Sequence, residues 1–282
     1  MMTIADRIAH ARNVIAAAGV RPQDAARDAE LLARTVLQCD GAALLVRLRD
    51  EEPPEFSAAF ASLVERRSLR EPMAYIVGER EFWGRRFAVM PGVLIPRPES
   101  ELIVEAALDV FRETPPGVII DVGTGSGCLA VSLAAEFPAA HVVATDISME
   151  ALAIARRNAT ANGLEDRIDF RLADLLDTVA DRADLIVSNP PYVASGDAPG
   201  LVPEVREHEP HVALFAGHDG LHVFRRLFPS VKPRLRPGGR LILEVGYDQD
   251  GAVIDIASRC GWTFSHHRQD LQGITRTLVF HA

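Results

Sequence analysis

The chain has 282 residues, 48% of them hydrophobic, and a formal net charge of -9, which is enough apolar content for one large domain and a smaller one. The acidic balance argues against broad electrostatic capture of DNA or RNA, because affinity for a phosphate backbone rests on basic patches. No apolar run reaches the length of a membrane span, the first ten residues lack a signal-peptide layout, and Cys39, Cys128 and Cys260 are too widely spaced for CxxC pairing; a cytoplasmic protein with reduced core thiols is expected.

Thr3 can cap a helix whose positions Ile4, Ile8, Ala11, Ile15 and Ala18 share a face, with Gly19 to end it. Pro22 opens a second helix to Leu37, and residues 42–48 and 55–69 are further amphipathic segments, set apart by Asp40-Gly41 and Pro53-Pro54. These make a small helical domain over residues 1–77. Its arginines and acids nearly balance and aromatics are few, so base flipping with phosphate anchoring finds little support. Residues 81–89 form two extended runs around Gly84, a predicted hairpin within a linker over residues 78–97 that bridges to the rest of the chain.

From residue 98 onward helices and strands alternate. Helices are predicted at 102–111, from near Cys128, at 149–161, at 221–228 and at 252–260. Strands are predicted at 118–122, 141–145, 168–172, 185–188, 240–245, 262–265 and 275–280. Such alternation implies an α/β fold, a doubly wound and mostly parallel sheet with right-handed crossovers, over residues 98–282. All residues after Tyr192 are expected to be used in finishing that sheet.

Two strand ends carry chemistry. The buried strand at 118–122 runs into Gly123-Thr124-Gly125-Ser126-Gly127, where glycines allow a ligand close to the backbone. The next strand ends in Asp146, 23 residues after Gly123, where a carboxylate can take both hydroxyls of a ribose. The glycine spacing is not that of dinucleotide enzymes, and the acidic Asp121 suits a cationic ligand and repels a phosphate. An adenosine-type ligand without pyrophosphate, such as a sulfonium cofactor, fits this pattern. Asp174, near the end of a further strand, either reaches the adenine amino group or caps a helix.

The strand at 185–188 stops in Asn189-Pro190-Pro191-Tyr192. Two prolines lack N–H donors and hold the preceding residues extended, so the turn is stiff. The Asn189 side-chain carbonyl and the Pro190 backbone carbonyl can then act as paired acceptors for one planar NH2 group, with the Tyr192 ring available to stack. Adenine N6, cytosine N4 and a glutamine amide all present such a group. Fixed acceptors would orient the nitrogen lone pair toward an electrophile and favour the charge that develops on attack. The plainer alternative is a proline turn that closes a buried strand. His208, His211, His218 and His222 cross a turn without a cysteine nearby and read as loop residues, so no metal is expected.

Asp121 to Gly127, Asp146, and Asn189 to Tyr192 resemble motifs I, II and IV of class I S-adenosylmethionine-dependent methyltransferases. Within that superfamily the chain resembles the protein-(glutamine-N5) methyltransferases that modify the Gly-Gly-Gln loop of peptide chain release factors. Further segments carry the likeness: Arg70 to Gly78, Glu81 to Gly84, Leu94 to Glu101, Glu209-Pro210 with Ala213-Leu214, and Asp219 to Leu221. Ser100 stands where the family usually has Thr, and Leu175 where some members carry Trp beside the adenine. The resemblance implies S-adenosyl-L-methionine bound by Asp121, Gly123, Thr124, Gly125, Ser126, Gly127, Asp146, Asp174, Leu175 and Asn189. It implies catalysis by Asn189, Pro190, Pro191 and Tyr192, a final hairpin with an antiparallel last strand, and a monomer whose partner is a release factor rather than a membrane or nucleic acid. A ribosomal-protein glutamine methyltransferase is the nearest alternative; a nucleic-acid N6-adenine methyltransferase and a silent cofactor-binding regulator are more distant ones. Arg97 and Glu99 either meet substrate or pair at a helix start.

Overall fold

The computed structural model describes residues 2–282, so the Met1 end of the predicted helical domain lies outside the described residues. The chain divides into two compact units, a helical one that ends at Gly78 and also takes in Val202–His208, and a second of Glu79–Leu201 with Glu209–Ala282.

The helical unit contains Ile4–Ala17, Pro22–Leu37, Gly41–Arg47, Phe56–Ser68 and Met73–Val77. Thr3 opens it with a capping box: its hydroxyl accepts the Asp6 backbone N–H at 3.2 Å and its own N–H donates to the Asp6 carboxylate at 2.9 Å. The predicted helical spacing delivers Ile4, Ala11, Ile15, Ala25, Ala29 and Leu32 to one core, where Phe56 and Phe60 stack at 4.9 Å. Residues 202–208 are the exception to the expectation that everything after Tyr192 completes the sheet. Their helix, Pro203–His208, belongs with the helical unit. The reason is ionic. Glu204 accepts a forked pair of hydrogen bonds from Arg70, at 2.9 and 2.7 Å, and a third from the buried Arg67 at 2.9 Å. Arg67 also reaches Asp28 at 2.7 Å.

The second unit begins with an antiparallel hairpin, β1 (Glu79–Phe82) and β2 (Arg85–Ala88). Trp83 and Gly84 at its tip both have positive φ, the conformation that matches strand twist in a two-residue turn. This hairpin differs from the linker expected of it. Phe82 and Phe87 are fully buried in the core of the unit, and the Asn158 side chain brackets Ala88, accepting from its N–H at 2.7 Å and donating to its carbonyl at 3.0 Å. Two buried phenylalanines, one on each four-residue strand, make it a packed element.

Seven further strands form one sheet in the order β5-β4-β3-β6-β7-β9-β8: β3 (Val118–Val122), β4 (His141–Asp146), β5 (Ile168–Leu172), β6 (Ala183–Ser188), β7 (Leu235–Glu244), β8 (Thr263–Gln269) and β9 (Thr275–His281). The first five in chain order pair in parallel, and β9 runs antiparallel to both β7 and β8. Successive residues point to opposite faces. Ile119, Leu185, Val187 and Ile242 pack into one apolar layer with the helices Glu101–Val110, Cys128–Glu136 and Met149–Ala161. Ile120, Ile186, Leu241 and Leu243 pack into the other with His222–Val231 and Asp250–Arg259. The helix expected to stop at Phe228 continues through Pro229, because Phe224, Leu227, Phe228 and Val231 are all buried on one face. Strand order reverses at β3, flanked by β4 on one side and β6 on the other. The loops leaving their carboxyl ends open a crevice there, the usual position of a ligand in such sheets. Among the described residues no helix is long and apolar enough to cross a membrane.

Candidate active site

The register Val122↔Ser188 places the ends of β3 and β6 side by side, so the glycine loop and Asn189 leave the sheet as neighbours. The Thr145 carbonyl, near the end of β4, accepts from the N–H groups of Gly123 and Thr124 at 2.9 and 2.8 Å, which folds the loop against the adjacent strand. Asp146 finishes the job. Its carboxylate accepts the Gly125 N–H and the Ser148 N–H, each at 2.9 Å, and is thereby fixed at the crevice, with burial pushing its pKa up. Where side chains at Gly123 and Gly125 would stand there is open space. Gly127 is constrained differently, since a Cβ there would lie 3.0 Å from the Ala155 methyl and the helix behind it could not approach.

One cavity occupies the crevice, and its wall includes Gly123, Gly125, Asp146, Ile147, Asp174, Leu175, Asn189 and Pro191. Asp174 does not cap a helix; it sits at the rim and accepts from Arg226 at 2.8 Å. Leu175 adopts a left-handed backbone, with its carbonyl accepting from the Thr145 hydroxyl at 3.1 Å. The other residues singled out in the sequence, Asp121, Thr124, Ser126, Gly127, Pro190 and Tyr192, are not part of this wall. Asp121 is fully buried beneath the loop, where one carboxylate oxygen accepts from the Thr124 hydroxyl at 2.7 Å and the Ala130 N–H at 3.2 Å. Its other oxygen finds no protein donor, and burial raises its pKa to about 7. The Asp121 position therefore supports the loop from behind. Open space over two glycines, a pre-oriented carboxylate on the next strand and apolar walls from Ile147 and Leu175 together fit an adenosine-bearing ligand.

The Asn189 turn is braced from several directions. The Tyr192 carbonyl accepts from Gln249 at 2.9 Å, and Gly220 passes so close that a Cβ there would lie 2.3 Å from that same carbonyl oxygen. Tyr192, expected to stack on a planar amide, packs its ring against the Phe224 layer and directs its hydroxyl to Glu244 at 3.3 Å. The Asn189 side-chain NH2 donates to the Ser100 hydroxyl at 2.9 Å, and Ser100 donates to Glu244 at 2.5 Å. Burial pushes the Glu244 carboxyl up to about 7 against the opposing pull of the two hydroxyls. Sequence reading missed Glu244. Its one signal is an acid closing the apolar run Leu241-Ile242-Leu243 on the strand next to β6. Arg97 pairs with neither Glu99 nor the cavity; it meets the buried Glu209 at 2.5 Å, which also accepts the Ile95 N–H at 3.1 Å. Two segments that carried the resemblance thus touch.

Comparison with known proteins agrees with this geometry. Residues 100–204 match the Methyltransferase small domain family and residues 6–78 match the PrmC N-terminal domain. A release factor glutamine methyltransferase from Cereibacter sphaeroides is 46% identical over 98% of this chain and 97% of its own length. One from Geobacter sulfurreducens is 42% identical over 95% and 92%. Among solved structures, the hMettl16 catalytic domain bound to a MAT2A 3'UTR hairpin superposes with a TM-score of 0.57 at 20% identity, covering 77% of this chain and 80% of that one. A methyltransferase from Pyrococcus furiosus superposes with a TM-score of 0.53 at 20% identity, covering 71% and 89%. The structural likenesses establish the class I methyltransferase fold, and the identity carried over nearly the full chain goes further: this protein belongs to the release factor glutamine methyltransferase family.

Proposed function

We propose that this protein transfers the methyl group of S-adenosyl-L-methionine to the side-chain amide nitrogen of the glutamine in the Gly-Gly-Gln loop of a peptide chain release factor, acting as a cytoplasmic monomer. The observation that carries the reading is the Asn189 amide, on the cavity wall with its NH2 edge already engaged by Ser100. Its carbonyl edge is left to accept, and a primary amide is a group that needs acceptors.

The bound cofactor supplies an electrophilic methyl group on a sulfonium sulfur. Asp146 would take the ribose hydroxyls, Asp174 and Leu175 would lie beside the adenine, and Gly123 and Gly125 would let the backbone come close. Asp121, Thr124, Ser126 and Gly127 hold that loop in shape. Asn189 Oδ1 and the Pro190 carbonyl accept the two N–H groups of the substrate amide, which aims the nitrogen lone pair and favours positive charge on it as the new bond forms. Pro191 keeps the turn rigid, and Tyr192 anchors it to Glu244. The excess proton leaves to solvent after transfer. Residues 1–77 serve as the reader of the release factor surface, which supplies docking energy rather than groups that act on the glutamine.

The reading is tested by peptide mapping of release factors incubated with the enzyme and labelled cofactor. One methyl on the loop glutamine is expected; label on a ribosomal protein or on adenine in RNA, with the loop unmodified, overturns it. Asp146→Ala is expected to weaken cofactor binding by roughly 1.5–3 kcal/mol, the value of charge-assisted hydrogen bonds to a ligand. Calorimetry measures this directly, and an unchanged affinity removes Asp146 from the binding role.

A further inference from the structure

Asn189 is a symmetric-looking side chain in an asymmetric task. Rotation about its terminal torsion exchanges oxygen and nitrogen at little steric cost. With nitrogen toward the cavity it would oppose one N–H with another. Something must set its orientation, and the candidates are the groups behind it. We propose that Ser100 and Glu244 are positioning residues which determine that the carbonyl edge of Asn189 faces the cavity. This inference rests on the reading of Asn189 as the substrate acceptor.

The argument is one of hydrogen-bond polarity. In its ionised form, which prevails above the value of about 7 to which burial raises its pKa, the Glu244 carboxylate only accepts, and both its oxygens are engaged, Oε2 by the Ser100 hydroxyl at 2.5 Å and Oε1 by the Tyr192 hydroxyl at 3.3 Å. Ser100 has a single proton to give. Once that proton is committed to Glu244, the serine oxygen can only accept, and the group it accepts from is the Asn189 NH2 at 2.9 Å. The amide plane then places Oδ1 on the far edge. Ser100 is 2% exposed and Glu244 1% exposed, so water does not compete for these bonds. The three residues arrive from three elements: Asn189 follows β6, Glu244 ends β7, and Ser100 precedes the helix Glu101–Val110. Their meeting is a property of the fold and not of any local turn.

The test is steady-state methylation of a release factor by Ser100→Ala, Ser100→Thr, Glu244→Gln, and Ser100→Ala combined with Asn189→Ala. Calorimetric cofactor affinity and thermal melting are measured alongside. Ser100→Ala and Glu244→Gln are each expected to lower kcat by about tenfold through loss of orientation, with KM, cofactor affinity and melting temperature near wild type. Ser100→Thr keeps the hydroxyl and is expected to restore turnover. In the Asn189→Ala background Ser100→Ala is expected to cost nothing further, because both act through the same amide. A wild-type kcat for Ser100→Ala, or a full additional loss in the Asn189→Ala background, overturns the positioning role while leaving the Asn189 reading intact. Wild-type turnover by Asn189→Ala alone overturns that reading, and this inference with it.

Discussion

Asn189→Ala is expected to lower turnover by about 10²- to 10³-fold, the usual consequence of removing one preorganised hydrogen-bonding group from a transition state. Cofactor affinity should hardly change. On the proposed reading the cofactor side of the cavity wall includes Gly123, Gly125, Asp146 and Leu175, and the Asn189 side chain hydrogen-bonds Ser100 rather than any of these. The backbone of the turn should also keep its shape, since it is held by Gln249 and by two bonds between Val193 and the strand-like segment at Leu214 and Ala216. The effect therefore falls on kcat. Rapid-quench turnover with a release factor, set beside calorimetric cofactor binding, separates the two quantities, and a variant with normal kcat but weak cofactor binding would assign Asn189 to the wrong ligand.

The largest effect on stability is expected from Arg67→Ala. The Arg67 side chain is 6% exposed and is shared between Asp28 and Glu204, whose side chains are 15% and 16% exposed. Removing it leaves two nearly buried carboxylates, one without its cation and the other dependent on Arg70 alone. A loss of about 3 kcal/mol follows from the usual cost of breaking a buried ion pair. Differential melting of wild type and variant measures it, and an unchanged melting temperature would mean that the cluster is held by packing alone. Burial works against ionised Glu204, but Arg70 and Arg67 outweigh it and hold its carboxyl below the ordinary value. A depressed carboxylate stabilises the fold above its unfolded pKa and stops doing so as pH falls through the folded one. The difference between Arg67→Ala and wild type should accordingly narrow in acid.

The residues that punctuate strands were legible in the sequence. Glycines after β3, Asp146 after β4 and the proline pair after β6 each change the local chain direction, and local rules of backbone geometry expose them. The strand and helix alternation was legible for the same reason, since burial on two faces imposes a period on each segment. What escaped notice depends on pairs far apart in the chain. Ser100 and Glu244 are separated by 144 residues, and Arg67 and Glu204 by 137. A serine before a helix and a glutamate at the end of a strand look like ordinary boundary residues until the sheet order makes them neighbours. Phe82 and Phe87 were visible as hairpin residues, yet their destination in the core was not, because two short alternating runs do not say which surface they will cover.

The helix at Pro203–His208 has a practical consequence for anyone wishing to exchange the helical unit. The helical unit is written in two instalments, one before Gly78 and one after Leu201, so it is not a portable cassette. A fragment that ends at Gly78 would keep the Arg67–Asp28 pair but leave Arg70 without the glutamate that it shares with Arg67. A graft of the first instalment from a relative would set foreign side chains against the native Glu204. Chimeras should exchange the two pieces together, with the splice points on either side of residues 202–208 chosen as carefully as the one at Gly78.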